Sequence, residues 1–177
     1  MRDQRLNNQS SGDCAFMERI YYHFPPNIDF ERSYGYNADM RYLMKVMASI
    51  HGKSGSVEFD TRGPDVKRHV DDVRARRDVT VDVAERRVDF MPLTPQNLAS
   101  VLQGLQPSGT ADFRVTVGYT YVDKNFNRMP LEGDVFLVRA NVDEGLTLQV
   151  ACIKGQGRTQ PEEIANTIET QLKIFKG

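Results

Sequence analysis

Apolar residues recur along this chain with two periods, and the points where the period changes mark the elements. Met40, Leu43, Met44, Met47 and Ile50 return at helical spacing. Asn37 is placed as the N-cap of that helix and Gly52 as its terminating glycine. SVEFDT (56–61) reads as a short strand with Val57 and Phe59 on one face. Gly63-Pro64 opens a second helix in which Val66, Val70 and Val73 form a narrow stripe. Lys67–Asp71, Arg68–Asp72 and Asp72–Arg76 are spaced as ion pairs along it. DVTVDVAERRVDF (78–90) then alternates with period two: Val79, Val81 and Val83 share a face, and Val88 and Phe90 continue it. This predicts a β-hairpin with a tight turn near Ala84-Glu85.

Thr94 caps the next helix, with Pro95 at its first position. Leu98, Val101, Leu102 and Leu105 point inward, and Leu93 can staple onto Leu98. Three strands follow, at 110–122, 134–142 and 146–153, with Asp143-Glu144-Gly145 turning the chain between the last two. In the first of them Phe113, Val115, Val117, Tyr119 and Tyr121 fall on one face. A final helix begins at Pro161, with Glu162 and Glu163 at its positive end and Lys173 and Lys176 near its negative end; Ile164, Ile168, Leu172 and Phe175 form its stripe. The order α-β-α-ββ-α-βββ-α predicts an α+β fold in a single domain over 14–177. Its mostly antiparallel or mixed sheet has five to six strands, packed with about four helices largely on one face.

Two segments stand apart from this periodicity. Residues 1–13 are polar and are expected to form a flexible tail. Residues 14–36 hold seven of the sixteen aromatic side chains. Rings of this kind dominate interface hot spots, which makes Tyr21, Tyr22, Phe24, Phe30, Tyr34 and Tyr36 the candidate partner-binding residues. The alternative is that the same rings close an open sheet face of their own domain.

Composition narrows the partners. A chain of 177 residues with 40% hydrophobic content can bury a core without help from metals or disulfides. The net charge of -1 provides no global field for a polyanion, so nucleic acid and anionic membrane are disfavoured. The window 60–89 looks basic until its eight acids are set against its eight bases; Arg74, Arg76 and Arg77 are its only tight cluster. Cys14 and Cys152 cannot frame a disulfide scaffold. No apolar run follows the N-terminal charges, so a cytoplasmic location is expected.

The candidate chemistry is thin. HGKSGS (51–56) ends like a phosphate-binding loop, but Met47 stands where that loop needs glycine. KGQGRT (154–159) joins a strand to a helix and its amides could hold an anion beside Lys154 and Arg158, although Glu162 and Glu163 already complement that helix end. His23, His51 and His69 show no metal-ligand spacing, and no metal or cofactor is expected. SGDC (11–14) resembles, over four residues and in altered order, the Asp-Gly-x-Cys surroundings of ovarian-tumour-type cysteine proteases; the last histidine, His69, is not placed far downstream as such a base usually is.

The later order, α-ββ-α-βββ-α, is similar in arrangement to Roadblock/LC7 domains, which are dimeric scaffolds that bind small GTPases, with strands long for that family. Three functions follow as expectations. The first is a non-catalytic protein-interaction or scaffold domain that self-associates through the ring-rich segment, and it assigns no catalytic residue. The second is a small-molecule-binding domain or enzyme lined by Asp112, Arg114, Tyr119, Tyr121 and Arg139. The third is a nucleic-acid-associated protein using the cluster from Arg74 to Arg77.

Overall fold

The structure is a computed structural model and describes residues 27–35, 38–56, 76–84, 89–104 and 109–176. Its strands are β1 (Phe30–Tyr34), β2 (Ser54–Ser56), β3 (Arg76–Ala84), β4 (Phe90–Pro92), β5 (Thr110–Val122), β6 (Arg128–Asn141) and β7 (Leu146–Lys154). Its helices are α1 (Met40–Ile50), α2 (Leu98–Gln103) and α3 (Pro161–Lys176). All strand pairs are antiparallel, in the spatial order β1-β7-β6-β5-β3-β2. β4 pairs with the far end of β3 from β2, so two short strands share one position at that edge. The fold is α+β, and three helices are found among the described residues where about four were expected.

The β5–β6–β7 meander is the frame, because its strands alternate apolar and polar side chains without interruption over long spans. Phe113, Val115 and Val117 of β5, Phe136, Val138 and Ala140 of β6, and Leu146, Leu148 and Val150 of β7 join one buried cluster with the helices. α1 buries Met40, Leu43, Met44, Val46, Met47, Ala48 and Ile50, and α3 buries Ile164, Ala165, Ile168 and Leu172. The two helices pack together, and the Tyr42 hydroxyl donates to the Leu172 carbonyl at 2.7 Å.

Among the described residues both sheet edges are short. At β1, Arg32 turns toward α3 and pairs with Glu162 at 3.3 Å. At the other edge a gap between β2 and β4 is filled by His51, whose Nδ1 accepts the Val81 N–H at 2.9 Å, while the Val81 carbonyl accepts from Leu93. A side chain thus replaces a missing stretch of strand.

Several element boundaries differ from the sequence expectation. Asp39, not Asn37, caps α1, and its side chain accepts the Tyr42 N–H at 2.7 Å. β3 begins at Arg76, so this residue belongs to a strand and not to a helix ending in Asp72–Arg76; the rest of that expected helix lies outside the described residues, as do 57–61 of the expected strand. The hairpin pairs Ala84 with Phe90, which leaves five residues between the strands in place of a tight turn and puts Phe90 on the face opposite Val83. β6 starts at Arg128, well before 134, because it continues a hairpin with β5 past the body of the sheet. Phe175 is 47% exposed, since α3 extends beyond the core after Leu172. Thr94 does cap a turn, accepting the Asn97 N–H at 3.1 Å, while the α-helix itself is counted from Leu98.

Candidate functional site

A β-bulge creates the most polar part of the interior. β5 and β6 lose register between Val117 and Tyr119, where Glu132 and Gly133 of β6 face one residue of β5. A Cβ at 133 would lie 2.7 Å from the Val117 carbonyl, so glycine is required at this crossing. The extra residue changes which side of β6 faces inward, and Asp134 therefore follows Leu131 into the core with no exposure.

Asp134 is buried but fully engaged. Its Oδ1 accepts the Gly157 N–H at 3.0 Å, and its Oδ2 accepts the Thr159 N–H at 2.9 Å and the Tyr119 hydroxyl at 2.6 Å. The glycine-rich connection 154–159 thus wraps its amides around the protein's own carboxylate. Gly155 and Gly157 have φ of 131° and 77°, and a Cβ at 155 would lie 2.0 Å from Asp134 Oδ1. The Arg77 Nη1 donates to Thr159 Oγ1 at 3.0 Å, and the Thr159 and Tyr119 hydroxyls are hydrogen-bonded in turn. Burial pushes the Tyr119 pKa well above the ordinary tyrosine value, and the hydrogen bond to Asp134 pushes it further the same way. These groups order a loop; the amides of Gly157 and Thr159 have an internal anion.

Beside this cluster lies a cleft of about 230 Å³ between α1, α3 and the end of the sheet where β2 meets β3. Val79, Val115, Val117, Met47, Ile50 and Ile168 form its apolar floor and walls. Lys53, Ser54, Arg77, Thr159, Glu163 and Thr167 also line it. Glu163 accepts the Gln160 N–H at 2.9 Å through Oε2 and faces Arg77 at 3.5 Å through Oε1. It supplies the glutamate half of a capping box at the start of α3 and faces Arg77 at the same time.

The five residues expected to line a strand-built pocket do not converge. Tyr119 and Tyr121 are buried on the helix-covered face, whereas Asp112, Arg114 and Arg139 lie on the other. There Arg139 binds Asp112 through two nitrogens at 2.8 and 3.0 Å, and Arg114 meets Asp82 at 2.9 Å. Both pairs join neighbouring strands directly. The basic cluster is divided in the same manner: Arg76 donates to Ser54 at 3.1 Å, Arg77 turns to the opposite face, and Arg74 lies outside the described residues.

Of the ring-rich segment, Phe30 is half-buried with the Arg32 guanidinium 4.8 Å from its centroid, and Tyr34 belongs to the core. Tyr21, Tyr22, Phe24 and Tyr36 lie outside the described residues, as do Cys14, His23 and His69.

A different aromatic is presented to solvent. Phe126, at the tip of the β5–β6 hairpin, is 75% exposed and has a φ of 64°. Asp123 builds this tip: its Oδ1 accepts the N–H groups of Asn125 and Asn127, each at 2.9 Å, and its carbonyl accepts that of Phe126 at 3.0 Å. Glycine or asparagine is the usual residue at such a left-handed position. The signal was present in the sequence as DKNFN, a turn-rich run interrupted by one large ring.

Among the described residues no group of three or more His, Cys, Asp and Glu could hold a metal ion, and no helix is long and apolar enough to cross a membrane. No protein-family model matches the chain, and no curated protein or solved structure matches it either.

Proposed function

We propose that this chain is a non-catalytic protein-interaction domain that self-associates, with the β5–β6 hairpin tip as one of its contact surfaces. The observation that carries this reading is Phe126: a large apolar ring held in a left-handed conformation and exposed to water. The conformation costs about 1–2 kcal/mol for an L-residue. A ring 75% exposed at a hairpin tip offers a partner a large apolar surface, and aromatic residues are the side chains that interfaces reward most. Met129, 37% exposed on the same hairpin, enlarges the apolar tip.

Tyr21, Tyr22, Phe24 and Tyr36, with half-buried Phe30, are a second proposed contact surface. Tyr34, the remaining ring of that candidate set, packs in the core of its own chain and is 9% exposed.

The test separates stability from association. Phe126→Gly relieves the backbone strain, so its urea midpoint should correspond to a gain of about 0.5–1 kcal/mol. Light scattering over a concentration series should show weaker self-association in the same variant. A monomeric wild type, or a Phe126→Gly variant that associates unchanged, removes the hairpin from the interface. Tyr21→Ala, Tyr22→Ala and Phe24→Ala together should weaken association more than they lower the melting temperature; collapse of the fold would assign those rings to the core.

A further inference from the structure

The cleft between α1 and α3 offers chemistry that the hairpin reading leaves unused. We propose that it binds a short apolar monocarboxylate, taken up as the unesterified carboxylate anion. A void of about 150 Å³ accepts benzene, so a cleft of about 230 Å³ admits an apolar body of about eight carbons. Its floor, built from Val79, Val115 and Val117 of two paired strands, offers such a body no hydrogen-bond partner among its side chains.

The polar residues around it favour an anionic head. Lys53 is exposed, and its ammonium has no partner among the described residues. Its backbone is fixed on both sides, by the Ile50 carbonyl at 3.1 Å and the Val79 N–H at 3.0 Å, so the side chain springs from a set position. Arg77 uses Nη1 for Thr159 and Glu163, which leaves Nε and Nη2 without partners among the described residues. Among the described residues Glu163 is the one acid lining the cleft, and it is already turned to Arg77 and to the N–H of Gln160. Two cations against one engaged carboxylate leave the lining positive. A carboxylate reaching both Lys53 and Arg77 gains charge-assisted hydrogen bonds, whereas an amine is repelled and an alcohol gains only the apolar contact.

Calorimetric titration of the full chain with octanoate, octanol and octylamine at neutral pH decides the matter. Octanoate should bind at least tenfold more tightly than octanol, lose affinity as salt is raised, and exceed octylamine by more. Lys53→Met should weaken octanoate about tenfold and leave octanol unchanged. Val79→Phe should fill the floor and abolish binding of both; Thr167→Phe, on the exposed helix surface at the cleft, does the same if Val79→Phe fails to fold. Absence of octanoate binding, equal affinity for octanol and octanoate, or unaltered binding by Lys53→Met would each overturn the proposal. Phe126→Gly should bind octanoate like the wild type, so failure of this site and failure of the hairpin interface are read separately.

Discussion

Tyr119 shows how far a single phenol is committed to holding the glycine-rich loop. Its hydroxyl gives one of the three hydrogen bonds that satisfy Asp134, a carboxylate with no exposure. Tyr119→Phe should therefore cost about 1–3 kcal/mol at neutral pH, measured by urea unfolding. The folded pKa of Tyr119 is raised, first by burial and then by Asp134. The sign follows: below about pH 10 the phenol is protonated folded or unfolded, and its full contribution is present. Above that pH the unfolded chain ionises first, so stability falls as pH rises. Urea midpoints from pH 8 to 11 should fall more steeply for the wild type than for Tyr119→Phe. Cys152 follows the same direction, its thiol pushed up by burial, and should react with a disulfide reagent more slowly than unfolded chain near neutral pH. Of these roles the sequence carried only fragments. KGQGRT was readable as an amide cradle, but its anion, Asp134, lies twenty residues upstream and faces inward only because of a bulge that alternation alone does not reveal.

At the scale of elements, cross-strand pairs do what a pocket was expected to do. Asp112 and Arg139 stand opposite each other on β5 and β6, with Asp112 3% exposed. Arg139→Ala should be the harshest change on this face, costing about 3–5 kcal/mol, because it removes the guanidinium bound through two nitrogens to a carboxylate only 3% exposed. The double variant Asp112→Ala/Arg139→Ala should be less destabilised than Arg139→Ala alone, a comparison that chemical denaturation can make directly. The long elements were legible because their patterns are strong: β5 alternates over its whole length, and α3 announces itself by Pro161, two acids and a regular stripe. The short ones were not. β4 has three residues and pairs after a five-residue connection, and α2 is counted from Leu98 although its polar cap sits at Thr94. His51 in the edge gap had no sequence signal at all, since the need for it arises only once β2 and β4 stop short of each other.

For the molecule as a whole, the helix-covered face holds the main core, and the other face carries the cross-strand pairs Asp82–Arg114 and Asp112–Arg139. One sheet unites the described residues, and the order β1-β7-β6-β5-β3 brings the first and last strands together. The fold class could be anticipated because periodicity reports which residues are buried together. The exposed hairpin tip could not, because exposure depends on how far a hairpin outruns its sheet: β6 runs past the body by several residues, and Phe126 rides at its end.

The brevity of the two rims has a bearing on how copies of this chain can meet. A five-residue strand on one side and two fragments bridged by an imidazole on the other provide little continuous backbone for a neighbour to zip onto. Under the proposed self-association, these described edges give little support to growth of the sheet from copy to copy, and discrete contacts between side chains, which end when the complementary surfaces are filled, take its place.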